Sequence, residues 1–126
     1  MGDYDNLMTN MTIELRQHHH CIRIRRSCYQ LLGEPEYIQL LVNPVEMTVA
    51  VRAVDQPASK DSIHKVNLTR LKQGRSQEIY STSFVRKLCE VVGGLEEGHS
   101  YKLAGKLVPK ERLVAFDLQS ITLIER

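Results

Sequence analysis

The stretch Ile22-Arg23-Ile24-Arg25-Arg26-Ser27-Cys28-Tyr29-Gln30-Leu31-Leu32-Gly33 changes period partway along. Through Arg25 the apolar and basic residues alternate, which is the period of a strand with one buried face and one charged face. From Ser27 the apolar residues Cys28, Leu31 and Leu32 fall at i, i+3 and i+4, the spacing of a helical face. Ser27 is a candidate N-cap and Gly33 a candidate C′ residue, so one or two helical turns fit between them. Next comes a run of large apolar residues at 37–42, then Asn43-Pro44-Val45-Glu46 with turn chemistry. Residues 47–54 alternate again, with Met47, Val49, Val51 and Ala53 on one face. The unit reads as strand, helix, hairpin, and it makes the fold class α+β.

Working outward, residues 1–10 are expected to be a disordered leader, and 11–15 (Met-Thr-Ile-Glu-Leu) a half-buried strand. Downstream, residues 55–77 form a connector: a polar loop at 55–62, a strand at 63–68, and a charged loop at 69–77 around Gly74. The order of the first unit then returns. Residues 78–80 make a short strand, Ser81 or Thr82 a cap, and Phe84, Val85, Leu88, Val91 and Val92 an amphipathic helix that Gly93-Gly94 stops. A turn at 95–98, a strand led by Tyr101, a turn at Pro109, and a returning strand at 113–118 complete it. Residues 121–124 add a last short strand. The expected organisation is one domain, 11–126, built from two β-α-β-β units (22–54 and 78–118) as a small barrel-like body with pseudo-twofold symmetry.

The bulk numbers suit that size. A chain of 126 residues, 42% hydrophobic and 25% charged, buries enough surface for one core without a disulfide or metal staple. The formal net charge of +2 permits an acidic partner but does not demand one, so any case for nucleic acid rests on where the charges lie. Cys21, Cys28 and Cys89 have no framework spacing, which fits a reducing compartment. No apolar run reaches the ~20 residues of a membrane span. The first ten residues are acidic and polar, unlike a signal peptide, and Asn6 stands where a myristoylation pattern wants Ser or Thr. The expected compartment is the cytoplasm.

The residues 22–33, the acidic turn after them, and a hairpin ending in Val49-Ala50-Val51-Arg52 resemble the swapped-hairpin module of the AbrB and MraZ transition-state regulators. Phe84-Val85-Arg86-Lys87-Leu88, Leu95-Glu96-Glu97-Gly98 and Tyr101-Lys102-Leu103 resemble the same module a second time. The likeness covers roughly residues 22–54 and 79–118. It implies two modules interlaced in one chain, as in MraZ-like proteins, and double-stranded DNA bound through the basic strand–helix face. This chain departs from the pattern in three places. The Pro that usually opens the family's helix is absent, with Arg25 and Ser81 near its place, the first acidic turn has no Gly, and the Asp-Arg-x-x-Arg signature is missing.

The candidate nucleic-acid contacts are therefore Arg23, Arg25 and Arg26 in the first unit and Arg86 and Lys87 in the second. The guanidinium fork suits phosphate because it donates two parallel, always-charged hydrogen bonds. The plainer account of such residues is a solvated strand face whose charges discourage edge pairing. His18, His19 and His20 precede Cys21, but neighbours on a strand point to opposite faces and no partner spacing follows. They read as surface histidines, not a metal site. Cys28 and Cys89 fall on apolar helix faces and read as core residues. There is no phosphate loop, nucleophile elbow or HExxH, so neither a catalytic residue, a cofactor nor a small-molecule substrate is expected. The two functional expectations are a DNA-binding transcriptional regulator, with homodimerisation through exposed strands open to it, and a non-enzymatic assembly module of the same fold using the hairpin faces around Tyr37 and Tyr101.

Overall fold

The computed structural model describes residues 8–16, 19–55 and 63–124. The expected leader at 1–7, His18, and the polar loop at 56–62 lie outside the described residues. Among the described residues nine strands and three α-helices follow in the order β1 (Met8–Arg16), β2 (His19–Ile24), α1 (Arg26–Leu31), β3 (Tyr37–Asn43), β4 (Thr48–Val54), β5 (Ile63–Lys65), α2 (Leu68–Lys72), β6 (Gln77–Tyr80), α3 (Thr82–Val92), β7 (Ser100–Val108), β8 (Leu113–Asp117) and β9 (Thr122–Leu123). The molecule is α+β, and its antiparallel strands form one curled, half-barrel sheet with few helices. The sheet order is β5-β3-β4-β8-β7-β1-β2-β6, with β9 added beside β7.

The strands form where period-2 alternation was legible, because each puts its apolar set on the inside of the curl. Met11, Ile13 and Leu15 of β1 meet Ile22 and Ile24 of β2; Ile38 and Leu40 of β3 meet Val49 and Val51 of β4; Leu103, Val114 and Phe116 close the far wall. Each fully buried side chain of this size contributes roughly 1.5–3 kcal/mol relative to exposure. Gly105 of β7 lies against the Phe116 ring so closely that a Cβ there would overlap it. α1 adds Cys28 and Tyr29 to the core, and α3 adds Val85 and Leu88.

The caps explain most of the boundaries. The Phe84 N–H donates to Ser81 Oγ (3.3 Å), which starts α3. Val45 and Glu46 N–H donate to Asn43 Oδ1 (3.0 and 3.1 Å), which closes the first hairpin. Gly33 sits at φ +80° after α1, a conformation open to glycine at little cost.

Four expectations are corrected. β1 begins at Met8, so residues 8–10, assigned to the leader, are strand. They are held because Met8, Thr9 and Asn10 pair with Lys106, Gly105 and Ala104 of β7. α1 starts one residue earlier than its expected cap: Arg25 is the N-cap, without a side-chain bond, and the Ser27 hydroxyl instead pairs with that of Thr9. Residues 68–72, expected to span the end of a strand and a loop, form α2, whose first turn is capped where Arg70 N–H donates to Asn67 Oδ1 (3.0 Å). Tyr101 is buried because it lies opposite Ile13 on the core face.

Candidate functional site

Strand register sets out two rows of side chains on the outer face of β6-β2-β1-β7. Tyr80, Cys21, Glu14 and Ser100 stand opposite one another in turn, and Glu78, Arg23, Thr12 and Lys102 form the next row. This face carries polar residues because its neighbours on each strand are spent on the core.

Arg23 is anchored at the centre. Its Nη1 lies 3.0 Å from Glu14 Oε1 and its Nη2 lies 3.6 Å from Glu78 Oε2. Arg70, projecting from α2, places Nη2 3.0 Å from Glu78 Oε1, and its Nε donates to the Ser76 carbonyl (2.7 Å). The Tyr80 hydroxyl donates to Glu78 Oε2 (2.6 Å). That hydrogen bond, followed by the charges of Arg23 and Arg70, holds the Glu78 carboxyl below its ordinary 4.5. Glu14 is only 7% exposed and Arg23 38%, so the inner carboxylate depends on its guanidinium partner.

Beside this network lies a cleft of about 570 Å³ lined by Arg23, Arg25, Arg26, Glu14, Thr12, Ser27 and Ser76. Arg25 and Arg26 are exposed, and among the described residues neither enters an ion pair. Four guanidinium groups (Arg23, Arg25, Arg26, Arg70) face two carboxylates (Glu14, Glu78), which leaves a local excess of two positive charges. Arg75, between the lining residues Gly74 and Ser76, is exposed. The chemistry offered is that of an anion site, with fixed donors and a positive field.

The expected basic residues divide between two places. Arg23, Arg25 and Arg26 converge on the cleft. Arg86 and Lys87 are exposed on α3, and Lys87 lines a separate depression of about 420 Å³ with Leu40, Leu41 and His64. The reading from sequence also missed Glu14, Arg70, Ser76, Glu78 and Tyr80. Alternation marked Glu14 as polar-faced, but nothing local announced that β2 lies between β1 and β6.

The remaining candidates are occupied otherwise. Cys21 lies 3.5 Å from Glu14 Oε2, and burial, then the Glu14 charge, pushes its thiol up to about 12. Burial does the same to Cys28. Neither supplies a thiolate near neutral pH. His20 pairs with Glu97 at 2.6 Å, and among the described residues no group of His, Cys, Asp and Glu is arranged to hold a metal ion. Among them, too, no helix is long and apolar enough to cross a membrane. Compared with known proteins, the chain matches no family model, no curated protein and no solved structure.

Proposed function

We propose that this chain is a non-enzymatic DNA-binding protein in which Arg25 and Arg26 contact the phosphate backbone. The observation that carries this is their position: two exposed arginines, in no ion pair among the described residues, lining a cleft together with Thr12, Ser27 and Ser76. Arg23 takes a positioning role, because its guanidinium is committed to Glu14 and Glu78. Arg86 and Lys87 make a second basic site on α3.

The strand pairings support the two-unit, AbrB/MraZ-like architecture. β2 pairs antiparallel with β6 and β4 with β8, while β1 pairs with β7 and β5 with β3. Two strands of the first unit thus meet their counterparts in the second, as an interlaced duplication requires, whereas β3 pairs with β5 of the connector and β7 with β1, ahead of the first unit. Regulation of transcription follows from that resemblance alone.

Fluorescence anisotropy with labelled duplex and single-stranded DNA, titrated at low and moderate salt, tests the phosphate contacts. The wild-type chain should bind at least one of the two, with an affinity that falls steeply as salt rises. Arg25→Ala/Arg26→Ala should weaken binding and lower the slope of log affinity against log salt by about 2, one for each lost contact. Binding untouched by that double variant, or no binding at low salt, rejects the site.

A second reading, as an assembly module, is favoured by one surface. Leu41, Ala50, Val108, Leu113 and Ala115 line a depression of mixed character on the outer face of β3-β4-β8-β7, together with Asn43, Glu46, Thr48 and Glu111, and Val45 beside it is 90% exposed. It replaces the expected surface around Tyr101, which is buried. A stable homo-oligomer without affinity for nucleic acid would select it.

A further inference from the structure

The outer face of the sheet changes character between its two halves. Across β6, β2, β1 and β7 it carries the charged rows already described. Across β3, β4 and β8, register places Leu41, Ala50 and Ala115 side by side, with Arg52 and Leu113 in the row on one side and Thr48 and Asp117 in the row on the other. Lys106 of β7 ends the central row, with its charge at the flank of the face. A sheet face turned to water ordinarily carries polar side chains, and alanine is a poor strand former. Ala50 and Ala115 do not serve the core, because Val49, Val51, Val114 and Phe116 fill the inner face at this level. Two alanines at the middle of an outer face give the isolated chain little, but they suit the close approach of a second surface.

Charge divides the same face into two ends. At one end stand Arg52, Lys110 and Glu111, all exposed, for a sum of +1 (two cations, one carboxylate); Arg112 nearby is paired with Asp55 at 3.1 Å. At the other stand Glu46 and Asp117, both exposed, for a sum of −2. Among the described residues none of these five enters an ion pair. The alanine row lies midway, two residues along β4 and β8 from either neighbouring row.

We propose that this face receives a second copy of the chain, related to the first by a twofold axis along the alanine row. Such an axis reverses the strand direction of the partner. It turns the Arg52 end of each copy onto the Glu46 and Asp117 end of the other, and it does so twice. Residues on the axis meet their own kind, which small uncharged side chains tolerate and a charge would not. Cations at one end, carboxylates at the other and alanines at the midpoint make the face complementary to itself, as an isologous interface requires. Sheets packed face to face lie about 10 Å apart, and short side chains at the middle permit that approach. The pairing rests on the surface of the assembly reading and is independent of the phosphate contacts, because the arginine cleft lies on the other half of the sheet.

Sedimentation equilibrium of the full chain at about 5 to 200 µM, in low and moderate salt, tests the pairing. The wild-type chain should show a reversible monomer–dimer equilibrium that weakens as salt screens the two ends. Ala115→Lys sets like charges against each other at the axis and should raise the dissociation constant about tenfold or more. Ala115→Ser, small and neutral, should stay within about threefold of wild type. Arg52→Glu leaves ends of −1 and −2, and Glu46→Lys leaves ends of +1 and 0, so each alone should dimerise more weakly than wild type. Mixed in equal amounts, these two variants should associate more tightly than either does by itself, because the −2 end of one again meets the +1 end of the other. Glu46 is reversed in place of Asp117 because Asp117 Oδ1 accepts from the Gln119 N–H (2.8 Å), a contact that the substitution would break. Gain in the mixture also shows that both variants are folded. A wild-type chain that stays monomeric throughout overturns the pairing and the homo-oligomeric assembly reading together. A dimer untouched by Ala115→Lys and Arg52→Glu keeps the assembly reading and overturns this face as its interface, and a mixture without gain overturns the opposed charged ends.

Discussion

At Arg25 the backbone is extended (φ −76°, ψ 155°), and the first turn of α1 receives no side-chain hydrogen bond. Ser, Thr, Asp or Asn at that position would accept from an orphan N–H, and a cation there opposes the helix dipole. Arg25 is thus a poor choice for stability and a good one for meeting phosphate. Arg25→Ser is expected to raise the stability of the chain by about 0.5–1 kcal/mol while weakening nucleic-acid binding. Urea denaturation and anisotropy on the same preparation read the two signs. A variant that lost both stability and affinity would count against a ligand-driven choice at this position.

Among the elements, β6 is held with unusual dependence on charge. It has four residues and pairs with β2 at the end of the sheet order. Its outer face is fastened through Glu78 to Tyr80, Arg23 and Arg70. Because the Glu78 carboxyl is held below its ordinary 4.5 in the folded chain, its ionised form contributes stability that is present above about pH 4.5. That contribution is lost as the pH falls through the lower, folded value. The urea midpoint of the wild-type chain should accordingly drop on acidification below about pH 4.5, and Glu78→Gln should flatten that part of the curve. An unchanged pH profile in Glu78→Gln would assign the acid sensitivity to other carboxylates.

For the whole molecule, the pairings decide whether two units mean two folding bodies. β1 pairs with β7, β3 with β5, β4 with β8 and β2 with β6, so every strand up to Val54 has a partner beyond it, in the connector or in the second unit. A fragment ending at Val54 would keep only the β1·β2 and β3·β4 hairpins, and isolated hairpins are marginal in water. The fragment is expected to lack the sheet signature in far-ultraviolet circular dichroism. The full chain should unfold in one transition, with coincident curves from circular dichroism and tyrosine fluorescence. A fragment that folds alone would show that the halves do not need each other.

The amino-acid sequence by itself determined the features that a few neighbouring residues can impose. Alternation at 22–25 and 47–54, the Ser81 cap, the Asn43 turn and the glycine after α1 each act within one turn or a few strand positions, so strands, hairpins and the α+β class were legible. α2 was not, because five residues carry too little periodicity to show through a charged stretch. Only the tertiary structure decided which strands lie side by side. That choice depends on shared burial between distant segments, and a shift of register by one residue would turn every side chain to the opposite face. It is the reason Arg23 finds Glu14 and Glu78, Tyr101 turns inward, and the arginines of 23–26 part company with Arg86 and Lys87. The local pattern supplied the basic residues; the pairing of β2 between β1 and β6 left two of them exposed over a cleft and tied the third to carboxylates.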